Sequence, residues 1–124
     1  MDHRMKMNPE SQLIKGNTPT LTLAVLREGP SHGYAIVQEI NRRSDNSLAL
    51  RQATLYPALH ALERDGLIES EWVLEGTDRP RRVYKITPAG ETELDRRLQA
   101  WRLFSRAIES VVQGGKGGQE LEPS

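Results

Sequence analysis

The chain contains no cysteine. That excludes disulfides and thiolate metal sites and fits a reducing compartment, so a cytoplasmic protein is expected. Long apolar runs are also missing. The longest fall far short of the about 20 residues a membrane helix needs, and no signal-peptide pattern opens the chain. Charge of one sign is missing too. The 17 Lys and Arg balance 17 Asp and Glu, so the overall basic excess of many nucleic-acid binders is not there. There is no Gly-rich phosphate loop, no nucleophile with a base at a recognisable spacing, and no paired carboxylates, so an enzyme is not expected. His3, His32 and His60 stand far apart, without acidic or thiol partners at ligand spacing. No metal site and no cofactor are expected.

The charge that is present is unevenly placed. Between Gly76 and Thr87 four basic residues, Arg79, Arg81, Arg82 and Lys85, face one acid, Asp78. Acids gather instead at Glu69, Glu71 and Glu75 and at Glu91, Glu93 and Asp95. Screening limits the reach of distant acids to roughly 8–10 Å at cell salt, so a positive loop on a neutral body can still hold phosphate.

With 124 residues the chain can form one compact domain with tails. Thr18 as cap and Pro19 as first helical residue predict a helix over "LTLAVLREG", stopped by Gly29 and Pro30. Ser31 is the expected cap of a second helix, with Tyr34, Ile36, Val37 and Ile40 as its apolar stripe and "RSDNS" as the loop after it.

The stretch "RQATLYPALHALERDG", residues 51–66, is the third helix. At about 100° per residue, Leu55, Ala58, Leu59 and Leu62 share one side. Ala53, Pro57, His60 and Arg64 share the other, with Tyr56 between them, and Gly66 is a left-handed cap. Pro57 lies about one turn inside, where its missing N–H costs less than in mid-helix. "SEWVLE" and "RRVYKIT" then read as a β-hairpin around "GTDRP", with Trp72 and Leu74 on one face and Tyr84 and Ile86 on another. Thr87 and Pro88, cap and first position, open a last helix reaching about Gln113.

Three helices and a hairpin with a basic tip form a winged helix-turn-helix plan, mainly α with a small β-hairpin (α+β), followed by a long C-terminal helix. A helix about 10–12 Å wide fits the DNA major groove and presents its outward side chains to base edges. Basic wing residues meet phosphates. Pro57 and Ala53 keep the outer face low. Tyr56 is either a boundary ring resting on the core or a phosphate donor, and Thr54 is either a second donor or satisfies a helical carbonyl. His60 and Arg64 are either DNA contacts or a solvated face. His32 and Tyr34 are read as structural, Tyr34 packed inside.

"GPSHGYAI", "TLYPALHALERDGLIESEW" and "RRVYKITPAG", with a tryptophan in the terminal helix, resemble the PadR family of bacterial transcriptional regulators. The resemblance spans about Leu13 to Val112 and is specific in the combination of motifs. It implies a winged-helix, DNA-binding homodimer of the short class with one C-terminal dimerisation helix, usually a repressor and often released by a small molecule. It also implies Thr54, Tyr56 and Pro57 in the recognition helix and Arg79, Arg81 and Arg82 in the wing. Ala53 stands where many members carry glycine, and Pro19 interrupts what is usually a longer first helix, which leaves the path of residues 1–17 open.

From residue 98 onward, Gln99, Arg102, Arg106, Glu109 and Gln113 confine polarity to an arc of about 100°. Leu98, Trp101, Phe104, Ile108, Val111 and Val112 lie outside it. Burying each large side chain is worth roughly 1.5–3 kcal/mol, so cover from a second copy is expected, through the same helix or through Leu13 and Ile14. Trp101 and Phe104 are also candidate walls of a pocket for a flat apolar effector.

The expected organisation is an N-terminal arm, partly flexible, over 1–17, the DNA-binding domain over 18–87, the dimerisation helix over 88–113 and a flexible tail over 114–124. The expected DNA-binding residues are Gln52, Thr54, Tyr56, Pro57, His60, Arg79, Arg81, Arg82 and Lys85, and the expected partners are double-stranded DNA and a second copy. The competing reading is a winged helix that binds another protein and no DNA.

Overall fold

The computed structural model describes residues 9–74 and 79–121. The elements are α1 (Pro9–Arg27), β1 (Ser31–His32), α2 (Gly33–Arg43), α3 (Gln52–Arg64), β2 (Ile68–Leu74), β3 (Pro80–Ile86) and α4 (Pro88–Leu121). The expected winged helix-turn-helix is there. Leu23, Leu26, Ile36, Leu55, Leu59, Leu62 and Ile68 form its core.

Helix α1 corrects the sequence reading. It starts at Pro9, not at Thr18, and Pro19 lies inside it. Pro19 has no N–H to donate to the preceding turn, and the polar side chains around it bond backward to carbonyls four residues earlier. Asn17 Nδ2 donates to Leu13 O (2.8 Å), Thr18 Oγ1 to Ile14 O (2.6 Å) and Thr22 Oγ1 to Thr18 O (2.8 Å). Thr18 and Thr22 are 1% and 0% exposed, and their hydroxyls are buried without loss because each is bonded. Residues 9–17, assigned to a loose arm, are therefore helical.

The cap of α2 is His32, not Ser31. His32 Nδ1 accepts from Ala35 N–H at 3.3 Å. Ser31 and His32 pair with Tyr84 and Val83 as a short edge strand that the sequence pattern did not announce, giving a sheet of order β1–β3–β2. Tyr34, expected inside, is 55% exposed. At about 100° per residue it lies about 110° from the middle of the Ile36–Val37–Ile40 stripe.

The turn between α2 and α3 carries positive φ at Asp45, Asn46 and Ala49. The Asn41 amide pins its far end, with Leu50 N donating to Oδ1 (2.7 Å) and Nδ2 donating to Leu50 O (3.0 Å). This fixes where α3 begins. Gly66, at φ +76°, ends α3 as expected: Gly66 N bonds Glu63 O and Leu67 N bonds Leu62 O.

The hairpin register pairs Ser70 with Tyr84, Trp72 with Arg82 and Leu74 with Pro80. Directly opposed residues share a face, so Trp72, Leu74, Tyr84 and Ile86 all point the same way, against the expectation of two faces. Ile68 and Tyr84 are buried on this face, whereas Trp72 and Leu74, nearer the tip, are exposed. The tip residues 75–78 lie outside the described residues.

Thr87 caps α4 as expected, its Oγ1 accepting from Gly90 N (3.1 Å) and donating to Gly66 O (2.8 Å). A side chain at Gly90 would overlap the Leu67 carbonyl. Two compact units result, Met1–Leu94 and Asp95–Ser124. The boundary falls inside α4, where Gly90 packs against Leu67 and the Ile86 side chain of β3 and Leu94 is buried. The helix continues past Gln113 to Leu121, since each residue added to a formed helix gains a backbone bond without a nucleation cost.

Candidate nucleic-acid interface

Helix α3 buries Leu55, Ala58, Leu59 and Leu62 and turns its other side outward. Tyr56 is 40% exposed, and Ala53, Pro57, His60 and Arg64 are exposed. Gln52 and Thr54, in the first turn, are half-buried. Low bulk at Ala53 and Pro57 leaves the backbone of this face approachable.

Tyr56, Arg81 and Arg82 come together. With His32, Gly33, Tyr34, Trp72 and Tyr84 they line a cleft of about 480 Å³ between the start of α2, helix α3 and the wing. The ring of Tyr56 lies on the backbone of Gly33, where no side chain intervenes. Arg81 Nη1 stands 2.6 Å from His32 Nε2. Burial pushes the Tyr84 hydroxyl above the usual phenol range, with the Arg82 guanidinium acting in the opposite direction.

The basic residues of the wing differ in how free they are. Arg79 and Arg81 are exposed. Arg82 is half-buried, lies 5.3 Å from the centre of the Trp72 ring and is 3.8 Å from Glu63 Oε2. Glu63 is itself fixed by the Ser70 hydroxyl at 2.7 Å. Lys85 points to the opposite sheet face and pairs with Glu69 at 3.8 Å. It belongs with Pro30 and Glu71, away from the cleft. Thr54 faces a second groove of about 730 Å³, lined by Ser11, Gln12, Ile14, Lys15 and Gly16 of α1 and by residues 48–51.

His32, Gly33, Tyr34, Trp72 and Tyr84 are the residues of the cleft outside the expected DNA-binding set. Angular position on α2 would have found Tyr34. Trp72 depends on how far the hairpin reaches beyond the helices, which no local pattern reports.

The residues proposed for pairing divide by unit. In the first, Leu13 is exposed and Ile14 half-buried. In the second, Leu98 is half-buried, and Trp101, Phe104, Ile108, Val111 and Val112 are exposed. Among the described residues no helix is long and apolar enough to cross a membrane, and no three His, Cys, Asp or Glu are grouped to hold a metal ion.

Against known proteins, the profile of the transcriptional regulator PadR-like family matches residues 22–96. The chain is 42% identical over 91 residues to transcriptional regulator Rv3488 of Mycobacterium tuberculosis, covering 71% of this chain and 72% of that one. It is 28% identical over 91 residues to the negative transcriptional regulator PadR of Bacillus subtilis, covering 73% of this chain and 48% of that protein. Among solved structures, a transcriptional regulator from Clostridium thermocellum superposes with a TM-score of 0.75 at 33% identity, covering 83% of this chain and 97% of the other.

Proposed function

The chain belongs to the PadR-like family of transcriptional regulators, and from that premise we propose that it acts as a homodimeric, sequence-specific DNA-binding repressor. The observation that carries DNA binding is the outward face of α3, with Pro57 and His60 uncovered and Tyr56 sharing a cleft with the exposed Arg81 of the wing. In this reading α3 enters the major groove, Thr54, His60 and Gln52 meet the duplex from it, and the wing contacts phosphates. Arg82 keeps the wing in shape more than it binds, because Trp72 and Glu63 already hold it. Lys85 contributes least, since Glu69 offsets its charge.

Pairing of two copies is supported by the uncovered Trp101, Phe104, Ile108, Val111 and Val112 on α4. A twofold pair would read an inverted repeat with half-sites about 34 Å apart. The repressing sign rests on the likeness to the Bacillus subtilis negative regulator. A flat apolar effector would sit against Trp101 and Phe104, three residues apart on one helix.

Selection of bound fragments from random duplexes tests this reading. The expected result is a palindromic site whose binding weakens steeply with salt, with a log–log slope near −5 for about six neutralised phosphates. Recovery of no fragment, together with salt-insensitive capture of another protein, would replace it with the protein-interaction reading.

A further inference from the structure

The cleft beside α3 contains a hydrogen-bonding conflict. His32 Nδ1 accepts from the Ala35 amide at 3.3 Å, which caps α2. His32 Nε2 faces Arg81 Nη1 at 2.6 Å. A neutral imidazole has one acceptor nitrogen and one N–H, and a guanidinium has only donors. If Nδ1 accepts the cap bond, Nε2–H confronts an N–H of Arg81. If Nε2 accepts from Arg81, the Ala35 amide confronts Nδ1–H. Protonating the ring makes both contacts donor to donor. No state of His32 satisfies the two neighbours together.

An anion oxygen placed between Arg81 and the ring removes the conflict. Nδ1 keeps its cap bond, and both Nε2–H and the guanidinium donate to the incoming oxygen. Arg81 is exposed and has room to swing toward it. The exposed Tyr34 lines the same cleft and supplies a further hydroxyl. Among the described residues no carboxylate lines this space, while the rings of Tyr56 and Trp72 offer apolar walls suited to a sugar edge. We propose that His32, Tyr34 and Arg81 form the seat of one DNA backbone phosphate. Arg81 supplies the charge, and His32 Nε2–H and the Tyr34 hydroxyl are neutral donors. The Arg81–His32 contact is the resting arrangement of that seat. The proposal rests on the DNA-binding reading and adds two residues of the "HGY" segment to it.

The test uses the full chain and a mixed-sequence duplex, followed by fluorescence anisotropy from about 50 to about 200 mM salt. Arg81→Ala lowers the log–log salt slope by about 0.9. His32→Asn keeps an oxygen able to cap α2 but lacks the Nε2–H. It and Tyr34→Phe each weaken binding by roughly tenfold to a hundredfold at unchanged slope and unchanged melting temperature, as expected for one hydrogen bond to a charged oxygen. In an Arg81→Ala background most of each loss disappears, because the phosphate is no longer held there. Parent-like affinity of both variants, or full losses persisting without Arg81, overturns the seat and leaves the regulator reading standing. A parent that binds no duplex overturns both. A rise in melting temperature with inorganic phosphate that matches the rise with duplex would assign the seat to a free anion and overturn the proposal.

Discussion

Tyr56 rests on Gly33: a Cβ built on that glycine would stand 3.1 Å from the Tyr56 hydroxyl oxygen and 3.5 Å from the ring carbon bearing it. Two segments far apart in sequence, "HGY" and "TLYP", therefore meet through one ring lying on one bare stretch of backbone. Gly33→Ala should separate fold from function. Alanine gains up to about 1 kcal/mol in a helix, and the crowding offsets part of it, so stability should change by less than about 1 kcal/mol. The half-exposed Tyr56 ring is displaced outward, and duplex affinity should fall similarly for all sequences. Melting curves and anisotropy on two unrelated duplexes check this. A variant that binds as the parent does would show that the position of the ring is immaterial.

Asn41 should be the most costly polar side chain of the turn. Its amide makes both bonds to the Leu50 backbone, at 2.7 and 3.0 Å. Asn41→Ala leaves that amide and carbonyl without their partner at the foot of α3, a loss of about 1–3 kcal/mol. Urea denaturation should show a lower midpoint at unchanged slope. An unchanged midpoint would mean that the turn is held by its own backbone bonds.

Acid should reveal the charge network on α2. Glu39 accepts from Arg42 and Arg43, and Arg43 also pairs with Glu28 at 2.7 Å. Hydrogen bonds from the two guanidinium groups pull the Glu39 carboxyl down to about 2 from an ordinary 4.5. A depressed folded-state value means that the stabilisation is complete above about 4.5 and lost as pH falls toward 2. The parent should therefore lose stability over that window more steeply than Glu39→Gln. The group is exposed, so the difference should be small and should shrink in high salt. Parallel pH curves for parent and variant at low salt would contradict it.

The sequence was most legible where one physical pattern acted alone. The buried stripe of α3, the Gly66 cap and the Thr87–Pro88 start follow from periodicity and capping chemistry, and the structure has all three. It was least legible where tertiary contact decided. Thr18 reads as a cap but instead lies inside a helix that runs through Pro19, its hydroxyl bonding backward to the Ile14 carbonyl. Ser31 reads as a cap but is drawn into β1 by β3, which hands capping to His32. Capping and periodicity assign Gly90 no role, yet it is where α4 passes against the Leu67 carbonyl. For the candidate site, α3 and the wing were visible as exposed and basic segments. The place of Lys85 outside the cleft was not, because alternation parts it from Arg82 but puts it on the same face as Arg81, which joins the cleft through His32 on the neighbouring strand.

Pairing should be broken by charge on α4. Trp101 is 54% and Phe104 63% exposed in the single chain, with Val111 and Val112 more open still. Covering each large side chain is worth roughly 1.5–3 kcal/mol, so the whole face can offset the entropy of association. Phe104→Asp with Val111→Asp places two carboxylates on it, each uncompensated if buried against a second copy. Sedimentation equilibrium should give twice 14.0 kDa for the parent and 14.0 kDa for the variant. The variant's first unit has its own core and should keep its helical signal and melting transition. Its binding to a palindromic duplex should drop steeply, because two half-sites would then be bound independently, while binding to a single half-site should stay as in the parent. A parent that sediments as single chains, or a variant that still pairs, would remove α4 as the pairing helix.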